Sequence, residues 1–345
     1  MTTWFHIDRR YLEHHNPEGH PERTARIENM LSLEELLVGS GVSALDSDRR
    51  ATDEELLRVH TPAHLERIDA TAGNIYTMLD PDTHTSPQSS EIARRAAGAL
   101  LDTVDAVVKG APAKGFAAVR PPGHHAESDR PMGFCLFNNV AVAAAHILEH
   151  HKLDRVLIVD PDVHHGNGTQ AIFYDDPRVL FVSLHQFPFY PGSGAVSEAG
   201  EGEGLGRTVN VPLPGGCTDG DYMDAFERVV LPVAREFDPR FVLMSAGYDA
   251  HGRDPLGGMR LTDDGFDAMT AALCGVADAH CDGRFAAVLE GGYSTQVLRD
   301  GVEVTVRRMH TGGEVATDGF VTTPAGTAAV NAALEGARAH WKLDR

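Results

Sequence analysis

The chain reads as an α/β protein built on an open parallel sheet with helices on both faces. Three observations predict this. Short apolar runs alternate with segments of helical period. Several runs are apolar throughout rather than every second residue, as strands covered on both faces are. Chemistry-capable polar residues follow four of the runs directly, at the carboxyl edge where open parallel sheets keep their sites. With 345 residues the chain is long for one domain but within reach of a large sheet.

Residues 1–8 (MTTWFHID) lack the basic and then apolar order of a signal peptide. No stretch approaches 18 uninterrupted apolar residues, so no membrane span is expected. Residues 9–88 are weak in strands and rich in polar turns, and should pack against the sheet and lend loops to a site. In 91–109, Ile92, Ala96, Ala99, Leu100, Thr103 and Val107 recur at three- and four-residue steps, the face of a helix. Residues 115–119 predict a strand that ends in a Pro-Pro-Gly turn, and 139–149 a helix. Residues 156–159 (VLIV) predict a buried strand, and Gly166-Asn167-Gly168 the turn into a further helix. Strands are expected at 180–184, 208–211, 241–244 and 285–289, and helices at 222–236, 264–279 and 325–340. The glycine-rich stretch 192–206 lies between two strands and reads as a long loop. There is no internal repeat and no low-complexity linker, so 1–345 is expected to be one catalytic domain.

Lys and Arg number 30 against 50 Asp and Glu, a formal charge of 30 − 50 = −20. Such a surface argues against nucleic acid as a partner, because phosphates need Lys and Arg. It favours cationic substrates, although solubility alone explains it as well. Cys135, Cys217, Cys274 and Cys281 show no CxxC spacing and read as reduced thiols of a cytoplasmic protein.

The densest chemistry lies in 160–168 (DPDVHHGNG). Asp162 and His164 are two apart, so extended backbone would turn both to one side. An Asp oxygen beside a His nitrogen suits zinc. Residues 241–244 run into Ser245-Ala246-Gly247-Tyr248-Asp249, and Asp249 can supply a third ligand. Three ligands with an open position is the pattern of a catalytic zinc. The competing role for Asp249, capping a helix, is weakened by Gly252 and Pro255 close behind. His124 and His125 follow the rigid Pro-Pro-Gly turn and suit acid–base work near neutral pH. Tyr293 follows Gly291-Gly292, and its phenol could hydrogen-bond an oxyanion.

Taken together, the motifs RPPGHHA (120–126), GFCLFNN (133–139), DPDVHHGNGTQ (160–170), PGSG (191–194), SAGYDAHGRDPLGG (245–258) and EGGY (290–293) resemble the zinc-dependent histone deacetylase family, with its bacterial histone deacetylase-like amidohydrolases and acetylpolyamine amidohydrolases. Gly19-His20-Pro21-Glu22-Arg23 is similar to the loop at the mouth of the family's pocket, so the likeness runs from about residue 19 to 300. The resemblance implies the arginase–deacetylase fold and hydrolysis of an acyl-lysine-type amide or a small acylated amine. It implies one zinc on Asp162, His164 and Asp249. It makes His125 the general base and acid, supported by Asn167, and His124 its electrostatic neighbour, oriented by Asp160. Tyr293 becomes the oxyanion donor. Substrate contacts fall to Gly133, Phe134, Leu256, Gly291 and one of Phe189 or Tyr190. A structural potassium is implied on Asp160, Ser183 and Leu184 with the backbone oxygens of Asp162 and His164. Relatives often form dimers or tetramers, so a homo-oligomer is possible. Two departures stand out. Pro161 replaces a usual Trp, which implies local repacking, and Leu256 replaces the acidic residue of polyamine-selective members. A two-metal arginase-like enzyme would want another carboxylate where His165 and Gly166 stand. A non-catalytic acyl reader would be expected to have lost one of these groups.

Overall fold

The computed structural model of the chain describes residues 2–111 and 113–343. Its strands, in chain order, are β1 (Thr2–Ile7), β2 (Ser43–Ala44), β3 (Thr77–Met78), β4 (His84–Thr85), β5 (Ala113–Ala118), β6 (Val156–Asp160), β7 (Val179–Gln186), β8 (Thr208–Leu213), β9 (Phe241–Ala246) and β10 (Phe285–Leu289). Eight of them form one sheet in the order β2-β1-β5-β10-β9-β6-β7-β8. Every pairing in that sheet is parallel. β3 and β4 make a separate antiparallel pair.

The central strands β5, β6, β9 and β10 are buried at every residue. This explains their near-continuous apolar composition, since helices cover both faces of a parallel sheet. The helices Ser89–Lys109, Asn139–Glu149, Asp263–His280 and Pro324–Arg338 match their predicted spans to within two residues. Asn138 opens the second of these by accepting a hydrogen bond from Ala141 N.

Three features depart from the sequence reading. The first is β1, which pairs with β5 and β2 although no strand is predicted there. Its run mixes Thr and His with apolar residues, and the β5 edge supplies the order its composition lacks. The second is the helix Thr295–Thr311, also not predicted. The third is the stretch predicted as a helix over 222–236. It is broken into α-helix (Asp219–Ala225), a π-helical turn (Phe226–Val230) and α-helix (Leu231–Phe237). Pro232 has no N–H for the carbonyl four residues back, so the ladder shifts its step just before it.

Candidate metal centre and catalytic cleft

In the sheet β5, β10, β9 and β6 are consecutive. The loops that leave their carboxyl ends carry His124 and His125, Glu290 to Tyr293, Asp249, and Asp160 to His164. Residues far apart in the chain therefore meet on one edge, and the four segments singled out in the sequence converge.

Asp162, His164 and Asp249 each offer a ligand atom within 4.8 Å of the other two. His164 Nδ1 lies 3.2 Å from Asp162 Oδ1 and 3.1 Å from Asp249 Oδ2. The strand ends at Asp160 and 162–164 is a bend, so the convergence does not come from strand alternation as predicted. Backbone ties create it instead. Asp249 Oδ1 accepts from Val163 N at 2.9 Å, Asp162 Oδ1 from His164 N at 2.9 Å, and Asp162 Oδ2 from Gly291 N at 2.8 Å. Asp249 thus holds another segment and caps no helix. Gly291 is obligatory, because a Cβ there would lie 2.1 Å from Asp249 Oδ2. Both carboxylates are fully buried. Burial, and then the charge of Asp162, push the Asp249 carboxyl up to about 7. Two buried carboxylates and an imidazole on one point are costly without a cation and well suited to one. The O, N, O donor set is one that zinc accepts.

His124 and His125 lie with ring centroids 4.0 Å apart, tilted 43° to each other, on the turn after β5. His124 Nδ1 lies 3.0 Å from Asp160 Oδ2, and His125 Nδ1 lies 2.8 Å from Asn167 Oδ1. The Asn167 amide is oriented by its other side, where Nδ2 donates to Glu127 Oε1 at 2.8 Å. Its oxygen must then face His125, so His125 donates from Nδ1 and keeps a lone pair on Nε2. Burial and the neighbouring His124 hold the His125 pKa well below the usual imidazole range. Burial opposes charge on His124 too, but Asp160 and Asp162 outweigh it and raise its pKa well above that range. The adjacent imidazoles are thus driven to opposite protonation states.

Aromatic groups line the approach. Phe189 stacks on the His164 ring at 5.3 Å, while Tyr190, more exposed, stands edge-on to His125 at 5.1 Å. Phe134 meets Tyr293 edge-on at 5.9 Å and His20 at 4.7 Å. Phe134 has a left-handed φ of 69°, a conformation that costs an ordinary residue about 1 kcal/mol or more. Gly133 N donating to Asp82 and Phe134 N donating to Thr83, both at 3.1 Å, hold it there. Tyr293 is set by its backbone N–H, which donates to Asp254 Oδ2 at 2.6 Å. Arg26 lies over its ring at 5.1 Å. Asp254 also accepts from Leu256 N at 3.0 Å, which fixes half-buried Leu256 beside the same cleft. Pro161 borders a small internal cavity with Met244, Tyr248, Phe266 and Met269.

Sequence reasoning assigned no role to Glu290, Asp254, Asp82 or Arg26. Glu290 is fully buried and accepts from Gly123 N at 2.6 Å and His124 N at 3.1 Å, so it clamps the two-histidine turn. Its position directly after an apolar strand was the available signal, since an unpaired carboxylate there is costly. Glu22, placed by resemblance in the mouth loop, is instead fully buried between Arg26 and Arg120, while His20 does sit at the rim against Phe134.

The fold and this cleft set three side chains that could hold a metal ion beside a buried imidazole, the kind of site a metal-assisted hydrolase uses. A family model for the histone deacetylase domain matches residues 20–309. A probable deacetylase of Archaeoglobus fulgidus is 40% identical over 300 residues, covering 86% of this chain and 82% of its own. The histone deacetylase-like amidohydrolase of Pseudomonas aeruginosa is 44% identical over 281 residues, covering 79% and 72%. Histone deacetylase 10 of rice, a chloroplastic protein, is 40% identical over 310 residues, covering 85% and 70%. The crystal structure of the HDA15 HD domain superposes with a TM-score of 0.91 at 38% identity, over 99% of this chain and 95% of that one. The chain belongs to the histone deacetylase family and is a hydrolytic enzyme of that family.

Proposed function

We propose that the chain hydrolyses acyl-lysine-type amides at the cleft between β5, β10, β9 and β6, with one zinc on Asp162, His164 and Asp249. The observation that carries this reading is the fixed tautomer of His125. Its Nε2 lone pair is free on a ring 6.0 Å from the His164 ring, so a base and a metal cluster share one cleft. When bound, the ion would act as Lewis acid toward the amide carbonyl and lower the pKa of a bound water.

The residues divide the remaining work. Phe134 and the Phe189–Tyr190 pair flank an alkyl stem, and Gly133, Leu256 and Gly291 border it. A slot between aromatic faces takes an unbranched chain and excludes water from it. His125 Nε2 accepts a proton from the attacking water, and the cationic neighbour His124 favours negative charge developing on the substrate. The Tyr293 phenol donates to the carbonyl oxygen as it becomes an oxyanion. Its pKa is raised by burial well above the usual phenol value, so it stays a donor at neutral pH. His125 then returns its proton to the departing nitrogen as the C–N bond breaks, leaving a carboxylate and a free amine. Acetylpolyamines are the second substrate class. Leu256 offers no charge to a second amine, which favours the lysine side chain.

Asp160 and Ser183 are register partners across β6 and β7. His185 Nε2 lies 3.0 Å from the Gly194 carbonyl, so it carries the proton there and Nδ1 accepts. Ser183 Oγ, 2.9 Å from that Nδ1, must donate to it and keeps its lone pairs outward. This supports potassium on Ser183 Oγ, Asp160 and the backbone oxygens of Asp162, His164 and Leu184. That one sheet carries every site segment supports reading 1–345 as one catalytic domain. Among the described residues no helix is long and apolar enough to cross a membrane. The four cysteines are free and buried, in keeping with a reducing, cytoplasmic setting. The acidic charge speaks against nucleic acid as a partner, and a homo-oligomer is compatible with the family.

Tyr293→Phe tests the assignment. The variant should keep its zinc content and thermal stability, while turnover of an acetyl-lysine peptide falls roughly 10²–10³-fold, the cost of one oxyanion donor. Turnover within twofold of wild type would falsify the role. Dialysis against a chelator should abolish turnover, and added zinc should restore it.

A further inference from the structure

Away from the cleft, three histidines close the helix Asn139–Glu149. His146 lies in its last turn, His150 caps it and His151 follows. Each offers a ring nitrogen within 4.8 Å of those of the other two. His146 and His150 stack at 4.6 Å and 10°, and His151 stands edge-on to them at 5.1 and 4.9 Å. The far end of this helix, at Asn138 and Asn139, bonds the Ala126 and Pro121 carbonyls beside the catalytic turn. At a rise of about 1.5 Å per residue, the helix separates the two places by roughly 16 Å.

The neighbours of the cluster match a ligating set. One oxygen of Asp105, on the helix Ser89–Lys109, lies 2.7 Å from both His146 Nε2 and His151 Nε2. Metal-bound histidines commonly give their other ring proton to a carboxylate, which fixes the tautomer and raises basicity. Two imidazoles that share a carboxylate through Nε2 keep their Nδ1 lone pairs for a cation. At His146 that lone pair already faces one, the Arg58 guanidinium at 3.2 Å. Among the described residues Arg58 otherwise pairs with Glu54 at 3.5 Å, a residue largely in solvent. His150 is exposed and His151 partly so, which leaves the cluster open to bulk ions, while His146 is buried. Imidazole nitrogens suit zinc, nickel and copper, and not the oxygen-seeking calcium or magnesium.

We propose that His146, His150 and His151 form a second divalent transition-metal site, with Asp105 as the orienting carboxylate, separate from Asp162, His164 and Asp249. The site would load by displacing the Arg58 guanidinium and by turning the exposed His150 ring out of its stack on His146, since two parallel rings cannot both aim an in-plane lone pair at one ion. It is tested on the tag-free full chain by equilibrium dialysis against buffered free zinc in the low micromolar range, followed by elemental analysis. Wild type should bind one ion more than H150A/H151A, a surface double variant whose turnover should match wild type. A D162A/H164A variant should lose the other ion and keep this one, so the two sites are counted independently. Asp105→Asn should weaken the second site roughly 10–100-fold, and Arg58→Gln should tighten it. Equal zinc content in wild type and H150A/H151A at the highest free zinc tested overturns the proposal and leaves the cluster as packing at a helix end.

Discussion

A single methyl group at residue 133 would displace the His125 ring, the proposed base. Gly133 has φ 57°, and a Cβ there would lie 2.3 Å from His125 Cδ2. Gly133→Ala must therefore push the His125 ring aside or flatten the turn that holds Phe134 in its left-handed conformation. A misplacement near 1 Å at a reacting group costs on the order of 10²-fold in rate. The variant should fold, since the turn lies at the cleft and outside the sheet, and kcat should fall by about that factor while zinc content is unchanged. Activity within twofold of wild type would show that the ring has room to move. At this scale the side chains that converge in the cleft were legible because they follow strand ends in short, dense motifs. Their supports were not. Asp254 reaches Tyr293 across 39 residues, Asp82 reaches Gly133 across 51 and Glu290 reaches Gly123 across 167. A carboxylate that serves a distant backbone N–H leaves no local pattern, and only its burial betrays it.

Among the elements, the segment before β2 is tied to the sheet by one buried charge cluster. Glu22 accepts from Arg120 Nη2 at 2.7 Å, Arg26 Nη1 at 3.1 Å and Asn16 Nδ2 at 2.8 Å. Arg26 in turn donates to the Gly292 carbonyl at 2.7 Å, next to Tyr293. Burial alone would raise the Glu22 carboxyl, but Arg120 and His14 outweigh it and hold it well below the usual carboxylate range. A depressed folded pKa stabilises above the unfolded value of about 4.3, and that stability is lost as pH falls below it. Glu22→Gln leaves two buried guanidiniums short of a counter-charge. It should cost about 3–5 kcal/mol, seen as a lower urea midpoint at pH 7, with the gap to wild type narrowing below pH 4. A gap constant with pH would mean that shape, and not charge, is what Gln fails to supply. Element prediction failed for related reasons. The strand β1 has a sparse apolar signal and forms because β5 presents an open edge. The 222–236 helix keeps its period, but Pro232 resets the ladder.

At the scale of the whole molecule, an unusual number of histidines are stored neutral. His60 is pushed down to about 3 and His165 to about 4, each first by burial. Burial also lowers His6, His14 and His185. These residues sit on β1, in the N-terminal segment, beside Phe137, in the connection after β6 and on β7, so protonation would strain the fold in several places at once. Unfolded, each would titrate near 6.5. Between pH 6.5 and 4 the unfolded chain therefore binds more protons than the folded one, and stability must fall as pH falls through that window. Glu290 runs the other way. Burial raises its carboxyl to about 7, so its contribution is present at low pH and is lost as pH rises through 7. Asp249 shares that upward shift, but zinc at saturation holds it ionised, and the lowered histidines outnumber the carboxyls raised to about 7, so the net slope is acid-destabilising. With zinc held saturating, the urea midpoint should stay nearly flat from pH 8 to 7 and decline steeply from 6.5 to 5. That decline begins well above the carboxylate range and so cannot come from Glu22. His60→Gln and His165→Gln, which take the ring nitrogens' hydrogen bonds without titrating, should each make the decline shallower. A midpoint that stays level down to pH 5 would mean the buried imidazoles are already paired with protons, and the neutral state assigned to them would be wrong.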